Sequence, residues 1–348
     1  GRTYAPLRVT DVSCSSGSPC RPGSGFSVQF NNELDADATD AAAVAVAPAL
    51  PGHRATVQWA SISIDGVSAP RTEYTITLPA GITDVYGQTL GEPVTRTVQV
   101  GPAEPSIQAY DPITTLDPFA EGQQLTTLTV NHDQLRVRVF AGGIDDFADY
   151  ARYANERDWV DPPVDVPDWE VLSDATVQPE GDADVPVLTS IDLAGALGGK
   201  PGHVVVLIEP VPAVSPNSNL YWLNRPALTW VQSTSLGVDL FTDATDGVVW
   251  TTDLRTGAPV QGADVHFTNG SSAAHAATDA DGVARLALPA ETSYEGDDLL
   301  VATKGDDSAI LPTWAGRSSV QDSARWFVFD DRQVYRPGET MKVKGWVR

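Results

Sequence analysis

The stretch "DDRQVYRPGETMKVKGWVR", residues 330–348, decides how this chain is read. Pro337-Gly338 is turn chemistry, because proline pre-sets φ and glycine accepts a positive one. Ahead of it, Trp326, Phe327, Val328 and Phe329 form an apolar run. Behind it, Met341, Val343 and Val347 alternate with Lys342, Lys344 and Arg348, the period of two of a half-buried strand. The stretch predicts a β-hairpin. Two strands are marginal in water by themselves, so this hairpin needs more sheet. Either earlier strands complete it, or the sequence ends inside a domain.

Upstream, the same pattern recurs. "FSVQF" (26–30), "ATVQWASISI" (55–64), "EYTITLP" (73–79) and "PVTRTVQV" (93–100) alternate as strands and are separated by turn-rich pieces. Several short strands with regular turns predict an immunoglobulin-like β-sandwich over residues 1–102, closed by "GPAEP" (101–105). A second β domain is expected over 103–230, with strands at 125–130, 135–140, 186–193 and 203–210. Between its second and third strands lies "IDDFADYARYANERDWV" (144–160). Here Ile144, Phe147, Tyr150 or Ala151, and Ala154 recur at helical spacing, and Asp145 and Asp146 suit a helix N-terminus. This predicts a short helical insertion. A third sandwich is expected over 231–322, and 323–348 holds the first hairpin of a further, truncated domain. The fold class is all-β: tandem sandwiches with one helical insertion.

Composition agrees. At 348 residues the chain has room for roughly two to four domains. Gly 29 and Pro 26 are high together, which fits turns better than helices. The net charge of -24 is spread along the chain. Phosphate binding needs clustered Lys and Arg, so nucleic acid is excluded as an expected partner, and an anionic membrane surface is disfavoured likewise. No run approaches the ~18 apolar residues of a membrane helix. The two cysteines, Cys14 and Cys20, sit in "CSSGSPC". A bridge there is expected and points to an oxidising compartment.

Candidate chemistry is thin. "TDADG" (278–282) resembles the front of a calcium loop, but with Asp279 and Asp281 at loop positions three and five, the first position is Ala277 and the twelfth Leu288. A turn is the expectation. Asp145-Asp146, Asp297-Asp298 and Asp306-Asp307 are adjacent acids and announce no cleft with a raised pKa. His53, His132, His203, His266 and His275 form no zinc motif. His266 and His275 flank "NGSSAA", yet Ser271 and Ser272 lack an evident oxyanion device. Asn269-Gly270-Ser271 matches a glycosylation sequon. No cofactor or metal site is expected. The tryptophans, among them Trp159, Trp169, Trp222, Trp230, Trp314, Trp326 and Trp346, are expected to fill cores and domain interfaces rather than stack on sugars.

The closing stretch resembles the signature that opens a macroglobulin domain in the alpha-2-macroglobulin family: Asp331, Arg332, Tyr335, Arg336, Pro337, Gly338 and Glu339, then Lys344 and Gly345 in the following strand. "VVWTTDLRTGAPVQGADVHF" with "TDADGVARLALP" is similar to macroglobulin domains of bacterial members. "EYTITLPAGITDVYGQTLG" (73–91) is similar to their N-terminal immunoglobulin-like module. The resemblance implies an N-terminal scaffold portion of a bacterial endopeptidase inhibitor, itself no enzyme. Its parent would trap proteases after bait-region cleavage, with further macroglobulin domains as partners, in the periplasm or cell envelope. Many members carry a Cys-x-x-Gln thioester. Cys14 precedes Ser-Ser-Gly and Cys20 precedes Arg-Pro-Gly, so neither begins one, and no bait region is evident. The alternatives are an envelope adhesin or carbohydrate-binding array of immunoglobulin-like domains, and an accessory region of a secreted hydrolase.

Overall fold

A computed structural model describes residues 4–17, 19–120, 122–157, 165–243, 246–269, 272–288, 298–313, 326–330, 338 and 340–347. The first seven strands are β1 (Val9–Cys14), β2 (Phe26–Phe30), β3 (Ala45–Ala47), β4 (Arg54–Gln58), β5 (Ser61–Asp65), β6 (Glu73–Leu78) and β7 (Val94–Gln99). They form two sheets, ordered β1-β2-β5-β4 and β3-β6-β7. Alternate residues of each strand point inward: Phe26, Val28, Ile62 and Ile64 from one sheet meet Tyr74, Ile76, Leu78 and Val98 from the other. The run at 55–64, expected as one strand, is two. It folds back at Trp59-Ala60, where Trp59 takes a φ of 53° and stays 74% exposed. Alternation continues through the turn by coincidence of register, so periodicity alone hides the reversal.

Eight strands follow: β8 (Ser106–Ile107), β9 (Ile113–Leu116), β10 (Gln124–Val130), β11 (Gln134–Gly142), β12 (Val171–Val177), β13 (Val187–Asp192), β14 (Gly202–Val211) and β15 (Ala227–Ser233). Their sheets run β13-β10-β8 and β12-β11-β14-β15-β9, the β15–β9 pair being parallel. Strands β14 and β15 of the five-stranded sheet are buried on both faces, which explains the unbroken apolar run "VVVLI" in β14. Val204, Val206 and Ile208 face the three-stranded sheet. Val205 and Leu207 face an aromatic layer that includes Phe147, Tyr150 and Tyr153. Those three lie on helix α1 (Phe147–Glu156), preceded by a 3-10 turn at Ile144–Asp146. Asp146 Oδ2 accepts from the Gly143 amide at 2.8 Å, the acidic start that the sequence predicts. Tyr153 joins the expected Ala154 in the stripe, its ring 5.6 Å from that of Trp169.

The next seven strands are β16 (Leu236–Thr242), β17 (Asp246–Asp253), β18 (Asp264–Asn269), β19 (Ser272–Ala277), β20 (Val283–Ala287), β21 (Asp298–Lys304) and β22 (Asp307–Pro312). Sheets β16-β17-β20 and β19-β18-β21-β22 enclose Val249, Val265, Phe267, Leu286 and Leu300. The boundary expected at 230 falls inside a strand: β15 continues to Ser233, since all seven of its residues are buried in the second core. Strands β23 (Trp326–Asp330) and β24 (Val343–Val347) pair antiparallel as the predicted closing hairpin. The strand β12, exposed at six of its seven positions with Val171 and Leu172 in solvent, is not among the strands expected from the sequence.

Candidate functional site: the joints between sandwiches

Cys14 ends β1, and Cys20 forms a parallel bridge to Val100 just past β7; the two sulfurs are joined, with Cα atoms 5.4 Å apart. The Gly101 amide donates to the Cys20 carbonyl at 2.9 Å, so the small loop is tied to the point where the first sandwich hands over to the second. Arg21 Nη2 lies 3.1 Å from Glu104 Oε1 across the same point.

That first joint is built around Asp184, in the turn ahead of β13. Its side chain is 3% exposed. Oδ1 accepts from the Ala103 amide at 2.9 Å and from Asn131 Nδ2 at 2.8 Å, while Oδ2 accepts from Arg71 Nε of the first sandwich at 2.5 Å. Asn131 Oδ1 in turn accepts from the Asp184 amide. The Arg71 guanidinium, then the Asn131 amide, hold this carboxyl below the usual range. Asn224, buried, donates to the Pro105 carbonyl at 2.7 Å, and its Oδ1 is 2.8 Å from His132 Nε2. Burial lowers the His132 pKa. The linker is thereby held from both sides. A buried carboxylate satisfied by three residues far apart in sequence leaves no single motif to read, and the sequence did not reveal it.

The second joint spans β14, β15 and β22. His203 Nδ1 accepts from Trp230 Nε1 at 3.0 Å, and its Nε2 is 2.8 Å from Ser308 Oγ. Asp307, one of the adjacent acids dismissed on sequence, accepts from Thr234 Oγ1 at 2.6 Å and from the amide and hydroxyl of Ser235. The Ile310 amide donates to Gln232 Oε1 at 2.8 Å. Val301 and Ile310 point away from their own sandwich and join the aromatic layer of the second. Trp230, fully buried, packs at 5.2 Å from Phe147 and 5.4 Å from Tyr150. On the rim, Arg255 reaches Asp117 at 3.2 Å and lies 4.9 Å from the Phe119 ring centre. A cleft of about 450 Å³ opens beside the joint, lined by Ile144, Asp145, Asp264, His266, Val301 and Thr303.

The other sequence candidates are dispersed. Asp279 Oδ1 accepts from the Asp281 and Val283 amides and closes a turn, in place of a calcium loop. His266 and His275 face one another across β18 and β19, and His275 Nε2 bonds Asp264 Oδ1. Ser271, Gly270, Asp297, Trp159 and Trp314 lie outside the described residues, as do Asp331, Arg332, Tyr335, Arg336, Pro337 and Glu339. Gly338 is described, with a φ of 91°, and Lys344 pairs with Phe329 in the hairpin. Trp230 is a core residue and the half-buried Trp169 packs against that core, whereas Trp222, Trp250 and Trp346 are exposed on separate elements. Among the described residues no three His, Cys, Asp or Glu gather into a metal-binding group. What the joints can do is mechanical: they fix one sandwich against the next.

Comparison with known proteins gives these joints a context. Residues 233–323 match the bacterial alpha-2-macroglobulin MG3 domain, and residues 4–99 match a bacterial Ig-like domain. The fold is similar to an Escherichia coli alpha-2-macroglobulin structure spanning domains MG0-NIE-MG1, with TM-score 0.52 and 15% identity over 88% of this chain and 96% of that one. It is similar also to Salmonella alpha-2-macroglobulin reacted with methylamine, with TM-score 0.57 and 17% identity over 99% of this chain and 21% of that one. A circularly permutated Ras protein 2 of Dictyostelium discoideum is 27% identical over 198 residues, 49% of this chain and 5% of that protein. The chain thus spans a small part of the full-length proteins it resembles.

Proposed function

We propose that this chain, whose residues 233–323 match a bacterial alpha-2-macroglobulin domain, is the N-terminal scaffold of an endopeptidase inhibitor of the alpha-2-macroglobulin family. The inhibitor traps proteases after its bait region is cut. The reactive parts lie elsewhere in a longer protein, and these sandwiches position them without catalysis of their own. Proteases are partners of that longer protein, and its remaining macroglobulin domains are the partners of this chain. The protein works in the periplasm or cell envelope. The observation that carries the reading is the pair of joints. Asp184 and Asp307 each hold one sandwich against another. Rigid tandem sandwiches suit a frame.

The test is a protease assay with residues 1–348 and, separately, with the full-length protein. The fragment leaves trypsin-like and elastase-like cleavage of a large protein substrate unchanged, whereas the full-length protein suppresses it stoichiometrically. Inhibition by the fragment itself would remove the scaffold assignment. An export check is thiol labelling of cells without reductant: Cys14 and Cys20 stay unlabelled. Labelling of both contradicts an oxidising location.

A further inference from the structure

The second joint contains an arrangement of hydrogen bonds with only one consistent proton assignment. An indole N–H is a donor only, so the 3.0 Å contact from Trp230 Nε1 requires a lone pair on His203 Nδ1. The ring proton therefore sits on Nε2 and is donated to Ser308 Oγ at 2.8 Å. Neutral His203 thus links the second sandwich, through β14 and β15, to β22 of the third. A second proton has one place to go, Nδ1, where it would meet the Trp230 N–H head-on. Trp230 is fully buried and finds no water in exchange. One of the two rings must move, and Ser308 loses its register with it.

We infer that His203 is an acid-sensitive latch between the second and third sandwiches, closed when its ring is neutral and released when it becomes imidazolium. The groups around it set the balance. From β22, the Asp307 carboxylate and a hydrogen bond with the Ser308 backbone favour the charged ring. From β15, Trp230 opposes it, and Gln232 is neutral and occupied by the Ile310 amide. From β11, Gly142 offers no side chain, and its backbone lies against the Trp230 ring. From α1, Tyr150 accepts from the Trp230 amide at 3.0 Å and stays un-ionised, burial having pushed its pKa up to about 12. From β21, Val301 is apolar. Burial outweighs the one carboxylate, and the ring's pKa is lowered to about 4. Opening lets the ring return to about 6.5, so acid favours the open state by linkage.

The experiment follows imidazole and indole nitrogens of the 348-residue chain by NMR from pH 7.5 to 4, with amide exchange at Ser235 and Ile310 corrected for intrinsic rate. At pH 7.5, Nδ1 is unprotonated and the Trp230 indole N–H is well protected. On acidification to pH 5, exchange at both amides rises on the order of tenfold, and the Trp230 indole signal shifts together with His203. In His203→Gln, whose amide still donates and accepts, exchange is flat over the same range. A His203 ring that titrates near 6.5 with the Trp230 indole unmoved would overturn the latch, as would equal acid response in the variant. Should the variant not fold, the tautomer at pH 7.5 decides: a proton found on Nδ1 sinks the assignment.

Discussion

His203 is one of five histidines, yet its environment sets it apart from the rest. Its lowered pKa, caused first by burial, makes it neutral in the folded chain and protonated in the unfolded chain below about pH 6.5. The unfolded state therefore binds the extra proton, and stability falls as pH drops from about 6.5 toward 4. Urea denaturation at pH 7 and pH 5 should differ by about 2 kcal/mol, a gap that His203→Gln narrows. Asp184 acts in a different window. Its folded pKa is depressed by Arg71, so its contribution is present above the ordinary carboxylate range and fades as pH falls below it. Neither residue could be singled out from sequence. The partners of His203 lie 27 and 105 residues away, and those of Asp184 lie 53 to 113 residues away, at distances fixed only by strand register. The cysteine pair was legible because both partners sit within one short loop.

Among the elements, those with an apolar stripe could be read and those without could not. Helix α1 announced itself through Phe147 and Tyr150, and β14 through its continuous run. The strand β12 is attached to β11 along one edge and exposes its side chains, so neither period of two nor burial marks it. The turn between β19 and β20 shows how a local motif can carry structure in place of chemistry. Gly282 has a φ of 74°, and a Cβ there would sit 2.4 Å from the Thr251 carbonyl oxygen. Gly282→Ala should destabilise the chain by on the order of 2–4 kcal/mol, read as a lower urea midpoint with unchanged slope. Tyr150→Phe removes the hydroxyl that bonds both the Pro112 carbonyl and the Trp230 amide. Its expected cost is about 1–2 kcal/mol in the same assay.

For the whole molecule, the sandwich architecture followed from alternation and turn spacing, while the joints followed from nothing local. Asp184→Ala strips the first joint of its shared acceptor, and limited proteolysis of the 101–105 linker should then speed up on the order of tenfold at pH 7. Reducing the Cys14–Cys20 bridge should cost about 2 kcal/mol, since the loop it closes is short. The two joints also differ in reach. Between β7, which ends at Gln99, and β8, which begins at Ser106, six residues intervene, enough for an extended span of about 20 Å. Between β15 and β16 only Thr234 and Ser235 intervene, about 7 Å at full stretch. A tether that short has no slack. Even with its latch released, the third sandwich can pivot about Thr234-Ser235 but cannot drift from the second. Any pull on the third sandwich is therefore delivered, within two peptide units, to the buried strand β15, and through it to the whole five-stranded sheet.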